Sequence, residues 1–341
     1  MRAFVITAPG RGEVREVPEP QAGPGQVVVA VERAGVCGTD AEFFSGRMSY
    51  LASGHAAYPL RIGHEWCGRV AAVGAGVDDA WLGRRVSGDT MLGCGACRLC
   101  RTGRQHLCVD RFEIGIRGGW PGALAERLPV PVTALVPLPE QVGPVAGAMI
   151  EPAANALRAV RGADLRPGAR LLVVGPGTIG LLAAQIARST GVEVHVAGPD
   201  AGSLRFAASL GFGHRWTTRE AVPTEGFDAV LDASNGRTVP GWAVDLVDPG
   251  GRVVLIGLSG EPSTLDSRAV VLKDVTVVGV LSGSGGLHGA ADLFASGAVD
   301  PSPLVATTVG LDGVAAVLAG QRPPASGPSG AGPKIHVDPA L

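Results

Sequence analysis

Four of the six cysteines fall within one short stretch, GCGACRLCRTGRQHLC at 93–108. Cys94, Cys97 and Cys100 are separated by two residues each, and Cys108 returns after seven more. Gaps of two residues let neighbouring thiolates turn inward on one ion, and four thiolates in a tetrahedron make a closed structural zinc site. Buried or redox-active cysteines are the competing reading, but this loop is polar and glycine-rich and offers them no apolar bed. Arg98, Arg101 and Arg104 raise the alternative of a zinc module for nucleic acid. One small basic loop is a weak footprint in a chain of 29 basic and 31 acidic residues. Because four thiolates close the site, no substrate chemistry is expected there.

A second set is more dispersed. Cys37 lies in AGVCGTDAEFF (34–44), His64 and Glu65 in IGHEWCG (62–68), and Glu151 in GAMIEPAANAL (147–157). One thiolate, one imidazole and one carboxylate form a mixed set with room for an exchangeable fourth ligand. That is the pattern of a catalytic metal. A lone His beside a Trp is more often a packed core residue, so the weight lies in the three segments together.

GPGTIG (175–180) has the spacing G-x-G-x-x-G. It follows the apolar run RLLVV and opens a helical pattern, the context in which the motif points to a dinucleotide. Gly175 would make the tight turn, Gly177 would let the pyrophosphate approach, and Gly180 would let helix and strand pack. Thr178 and Ile179 share the helix N-terminus, which favours an anion. The second strand, VEVHVAG (192–198), ends in Gly198-Pro199, with Asp200 two residues past its end and Arg205 beyond. An acidic residue here reads ribose hydroxyls and repels a 2′-phosphate, so NAD is favoured and NADP stays open.

The elements that must position these groups differ along the chain. Residues 1–146 read as short strands cut by Gly and Pro, among them 26–36, 65–74 and 82–88, the pattern of a partly closed β-barrel. Residues 147–283 alternate strand and helix: strand 170–174, a helix, strand 192–198, a helix over 204–211, then strands at 227–234, 250–258 and 275–281. That alternation predicts a doubly wound parallel sheet. Residues 284–341 return to mixed texture, with helices at 287–297 and 313–320 and a strand at 331–339. They are expected to rejoin the first domain, so that the sheet domain is an insertion.

GVCGTD, GHEWCG, the four-cysteine loop, Glu151-Pro152 and GPGTIG occur in an order that resembles the zinc-dependent medium-chain dehydrogenase/reductase family, in its polyol and threonine dehydrogenase branch. The resemblance implies an α/β architecture: a GroES-like β-barrel catalytic domain (1–146 and 284–341) and a Rossmann dinucleotide-binding domain (147–283). It implies two zinc ions per chain, a catalytic one on Cys37, His64 and Glu151, with Glu65 as ligand or near neighbour, and a structural one on Cys94, Cys97, Cys100 and Cys108. It further implies that Asp40 orients His64 and that the Thr39 hydroxyl takes the proton of a bound alcohol. Cys67 has no counterpart role and is expected in the core. Many relatives carry a histidine where this chain has Glu42; Glu42, the cofactor ribose or His55 could carry the relay instead.

The implied activity is hydride transfer between a secondary alcohol (a polyol, sugar or cyclitol) and NAD, with the alcohol oxygen at the catalytic zinc. Two rivals remain: a zinc-independent reductase of an activated double bond on the same fold, and a nucleotide-binding redox sensor without turnover. Phe43, Phe44, Tyr50, Phe112 and Trp120 are candidate pocket walls. The composition gives no basic excess for nucleic acid, and no apolar run reaches the ~18–20 residues of a membrane span. A cytoplasmic homodimer or homotetramer acting on a small molecule is expected, its subunits pairing through the last strand of the sheet.

Overall fold

The computed structural model describes residues 1–224, 226–324 and 331–341. The chain forms two compact units, Met1–Glu151 with Pro301–Leu341, and Pro152–Asp300. The tail after residue 300 returns to the first unit, but the helix Leu287–Ala295 stays with the second. The boundaries therefore fall at 151/152 and 300/301 and not at the expected 146/147 and 283/284. The cause is packing: a Cβ on Gly286 would lie 2.6 Å from the Ala154 carbonyl, and one on Gly289 would lie 2.8 Å from Leu157. The segment 286–289 is thereby seated on the Ile150–Ala163 helix.

The first unit is built on a seven-stranded sheet in the order Val305–Val309, Lys334–Val337, Gln26–Val36, Glu65–Val73, Arg85–Gly88, Leu135–Pro137, with Arg127–Pro131 also pairing Gln26–Val36. The eleven-residue strand Gln26–Val36 is its spine, with six buried and five half-buried residues. Val27, Val29, Val31 and Ala34 enter a core with Phe4, Ile6, Trp66, Leu124, Leu128 and Val337. Phe43 and Phe44 belong to this core, 0% and 8% exposed, so they brace the fold and do not line a pocket. Cys67 is fully buried, and burial pushes its thiol up to about 12, as suits an inert core cysteine.

The second unit is a six-stranded, all-parallel sheet in the order His214–Trp216, Glu193–Ala197, Arg170–Val174, Phe227–Asp232, Val247–Leu255, Thr276–Gly279. Numbered along the chain, that order is 3-2-1-4-5-6, the doubly wound arrangement whose strand order reverses beside the first strand. The strand Arg170–Val174 is buried on both faces, as a central parallel strand must be. Among the described residues no helix is long and apolar enough to cross a membrane.

Candidate active site

The chain leaves the Gln26–Val36 strand through Cys37, which N-caps the helix Gly38–Ser45 in an extended conformation. Asp40, in the first turn, folds back on this junction. Its Oδ2 accepts the Cys37 backbone N–H at 2.9 Å, and its Oδ1 accepts the Gly63 N–H at 3.2 Å. One buried carboxylate therefore ties together two segments far apart in sequence. Gly63 has φ +101°, and a Cβ there would lie 2.8 Å from the Leu124 backbone nitrogen, so the turn requires glycine. His64 follows it, and Glu65 opens the next strand.

This arrangement brings ligand atoms of Cys37, His64 and Glu65 within 4.8 Å of one another. His64 Nδ1 is buried without a hydrogen-bond partner and lies 3.7 Å from Asp40 Oδ1, an ion-pair distance. Burial disfavours the His64 imidazolium, but Asp40 and the Cys37 side chain outweigh it, and the His64 pKa rises well above its ordinary value. A thiolate, an imidazole and a carboxylate with ligand atoms this close together fit zinc. Thr39 is half-buried in the same first turn as Asp40.

Glu65 has a partner that sequence reading did not find. Lys334 Nζ donates to both of its carboxylate oxygens, at 2.7 and 2.6 Å, and to the Val36 carbonyl at 3.1 Å. Burial alone would lower the Lys334 pKa, but Glu65 reverses that and holds it above the ordinary value. Glu151 lies in the first turn of the Ile150–Ala163 helix, 8% exposed. The structure does not gather it into the Cys37–His64–Glu65 set. Glu42 is exposed, and the exposed His55 has its Nδ1 2.7 Å from Ser53 Oγ. Tyr50, expected in a pocket wall, is bonded to Glu113 and Arg111 at 3.2 Å each, which pins the 49–52 helix onto the segment after Cys108.

The four-cysteine loop converges as its spacing predicts. The sulfurs of Cys94, Cys97, Cys100 and Cys108 lie within 4.8 Å of one another, and none forms a disulfide. Cys97 caps the short helix Arg98–Arg101. The Cys97 N–H points at Cys94 Sγ (3.4 Å) and the Cys100 N–H at Cys97 Sγ (3.5 Å). Such backbone donors favour thiolate: the N–H groups of Cys97 and Ala96 bring Cys94 down to about 7. A Cβ on Gly93 would lie 2.6 Å from Cys100 Sγ, so the loop closes over bare backbone. Four convergent thiols, two of them accepting backbone N–H groups, suit zinc.

In the second unit the glycine turn joins the Arg170–Val174 strand to the Thr178–Ser189 helix at the point where strand order reverses. Gly175 has φ +99°, and a Cβ on Gly180 would lie 1.9 Å from the Gly175 carbonyl. A Cβ on Gly177 would meet nothing within 4 Å. Gly175 and Gly180 are thus fixed by the fold, while Gly177 leaves its side open to a ligand. Asp200 caps the Ala201–Ser209 helix, its Oδ2 accepting the Ser203 N–H at 2.5 Å. The backbone N–H groups of Ser203 and Gly202 hold its carboxyl below the usual range, with Arg205 assisting.

Glu193, His195 and His214 also place ligand atoms within 4.8 Å of one another, which the sequence reading did not single out. Hydrogen bonding argues against a metal there. Trp216 Nε1–H donates to His195 Nδ1 at 3.3 Å, so Nε2 carries the proton it shares with Glu193 at 2.8 Å. Neither ring nitrogen of His195 has a free lone pair.

Residues 23–140 match the alcohol dehydrogenase GroES-like domain, and residues 178–296 match the zinc-binding dehydrogenase domain. The chain is 35% identical over 291 residues to an L-threonine 3-dehydrogenase of Saccharopolyspora erythraea, covering 82% of this chain and 83% of the relative. A zinc-binding dehydrogenase structure from Sinorhizobium meliloti 1021, bound to NADP, superposes with a TM-score of 0.87 at 29% identity over 99% of both chains. An Escherichia coli CFT073 alcohol dehydrogenase complexed with NADH gives a TM-score of 0.87 at 26% identity, again over 99% of both. With the two domains in this order and the zinc-binding residue types converging as described, the chain belongs to the zinc-dependent medium-chain dehydrogenase/reductase family.

Proposed function

We propose that the protein is a zinc-dependent oxidoreductase that moves a hydride between a secondary alcohol and a nicotinamide dinucleotide. The convergence of Cys37, His64 and Glu65 within 4.8 Å carries this reading. Cys37 and His64 would hold the ion, with Glu151 or Glu65 as the carboxylate ligand. When bound, zinc supplies a Lewis acid and the nicotinamide a hydride acceptor. Asp40 fixes the backbone on both sides of the site, and its charge favours an electron-rich His64. Thr39 takes the alcohol proton and passes it toward solvent, with the exposed Glu42 one turn further along the helix. Cys94, Cys97, Cys100 and Cys108 would hold a second, structural zinc.

Gly175, Gly177, Thr178, Ile179 and Gly180 would take the pyrophosphate at the helix N-terminus, and Asp200 with Arg205 the adenosine ribose. The ionised Asp200 opposes a 2′-phosphate, which favours NAD over NADP. Polyols, sugars and cyclitols are the first substrate candidates. Relatives named L-threonine 3-dehydrogenase add L-threonine, whose β-hydroxyl is also a secondary alcohol. For assembly we propose that Thr276–Gly279, at the end of the sheet, pairs with a second copy. The segment around it exposes Leu258, Val271, Leu272 and Leu281 at 84, 77, 80 and 44%. Dinucleotide reduction across an alcohol panel, with Cys37→Ala alongside, tests the function. A zinc-independent double-bond reductase would keep its activity in that variant.

A further inference from the structure

The first unit carries a cavity of about 290 Å³ whose lining includes none of the residues so far assigned to a metal or a dinucleotide. Three segments form it: the N-terminal hairpin, residues 57–61 and residues 115–121. Backbone hydrogen bonds tie these segments down. Ile6 and Leu60 exchange two bonds of 2.9 Å, the Arg61 carbonyl accepts the Gly122 N–H at 3.0 Å, and the Trp120 carbonyl accepts the Gly115 N–H at 3.1 Å. The cavity is therefore built into the fold, as ligand pockets usually are.

Most of its wall is apolar. Val5, Leu60 and Ile116 line it with Trp120, whose Nε1–H is already committed to the Pro129 carbonyl at 3.0 Å. Trp120 thus offers a ring and no donor. Two cations share the lining, and they differ. Arg15 is exposed and paired with Glu13 at 2.6 Å. Arg61 is half-buried, and its guanidinium has no hydrogen-bond or ion-pair partner among the described residues. Burial pushes its pKa below the ordinary value, and no carboxylate counters that. A charge withdrawn from water calls for a partner. The planar fork of a guanidinium matches a carboxylate. The apolar wall beside it favours an anion with an apolar body over bare phosphate or sulfate.

We infer that this cavity binds a small monocarboxylate with an aryl or branched-alkyl body, its carboxylate on Arg61 and its apolar group against Trp120. The volume lies at the low end of the ~300–1,000 Å³ of ligand pockets, which keeps the ligand small. The inference does not depend on the zinc reading above.

Phenylacetate is the probe, and phenylacetamide is its uncharged counterpart. Full-length protein labelled with 5-fluorotryptophan gives one fluorine resonance for each of its five tryptophans, and Trp120→Phe identifies the one from Trp120. That resonance is expected to shift saturably with phenylacetate in the millimolar range, and phenylacetamide to bind about tenfold more weakly. Arg61→Met should weaken phenylacetate by about the same factor, and Arg61→Lys, which keeps the charge, should fall between. Cys37→Ser should leave the titration unchanged, which separates this site from carboxylate binding at the candidate catalytic metal. A Trp120 resonance that stays fixed in wild type, as it would with a second copy seated over the cavity, would overturn the inference. So would equal shifts with acid and amide, or an undiminished titration in Arg61→Met. If Arg61→Met does not fold, the comparison of acid and amide on wild type still decides the matter.

Discussion

Asp40 Oδ1 stands 3.7 Å from His64 Nδ1, with both side chains buried and the same carboxylate also bound to the backbone at Gly63 and Cys37. Asp40 therefore supplies charge to one candidate ligand and fixes the backbone that carries both. Asp40→Asn keeps the shape but loses the charge. We expect a 10–100-fold loss of zinc affinity at this site, the scale for groups that support a metal ligand. Competition with a chromophoric chelator measures it. An unchanged affinity would show that Asp40 is a backbone brace only.

The glycine turn separates folding from binding. A Cβ on Gly177 meets nothing in the protein, whereas one on Gly180 runs into the Gly175 carbonyl at 1.9 Å. Gly177→Ala should leave the melting temperature within about 1 °C while weakening dinucleotide binding about tenfold, or ~1.4 kcal/mol. Gly180→Ala should lower both. Calorimetric titration with NAD and NADP beside thermal melts distinguishes them, and equal effects of the two variants would count against Gly177 as a ligand contact.

The four-cysteine loop should carry metal of its own. Wild-type protein is expected to contain about two zinc ions per chain and Cys100→Ser about one. Losing that crosslink should cost ~2–3 kcal/mol, a fall of about 5–10 °C in melting temperature for a unit of this size. Metal analysis by mass spectrometry with a thermal melt checks both. Two zinc ions in the variant would contradict the assignment.

His336 gives a pH test. It is fully buried among Lys334 and Arg33, and neither ring nitrogen has a hydrogen-bond partner. Burial first, then the two cations, drive its pKa down to about 3. In the unfolded chain it returns to about 6.5. A depressed histidine binds its proton more readily when unfolded, so its cost is absent above pH 6.5 and grows as pH falls toward 3. By pH 5 it amounts to ~2 kcal/mol. His336→Leu should flatten that acid limb relative to wild type in urea unfolding at pH 8, 6 and 5. Parallel limbs would mean that His336 is solvated or paired in solution.

Local signals in the sequence carried far here. Cysteine spacing located the four-thiol loop because all its ligands lie on one short segment. Glycine spacing after an apolar strand located the dinucleotide turn for the same reason. Cys37 and His64 were legible as motif residues, but Lys334 was not. Its partner lies 269 positions away in sequence, and only the pairing of Lys334–Val337 and Glu65–Val73 against the same central strand brings them together. The attachment of 284–300 to the second unit is not legible in the sequence, because the packing of Gly286 and Gly289 against a distant helix leaves no local trace. Glu193, His195 and His214 show the converse: residue types suggest a metal, and only the Trp216 hydrogen bond, visible in three dimensions, argues against one.

The central claim is that metal held by Cys37 and His64 serves alcohol oxidation. The most direct measurement is the rate of NAD reduction by zinc-replete wild type and Cys37→Ala, over polyols, sugars, cyclitols, simple secondary alcohols and L-threonine. Turnover with at least one of these is expected, with a loss of about a hundredfold or more in Cys37→Ala, ~2.7 kcal/mol of barrier or greater. Equal rates in the two proteins, or no turnover across the panel with two zinc ions and dinucleotide bound, would contradict the claim.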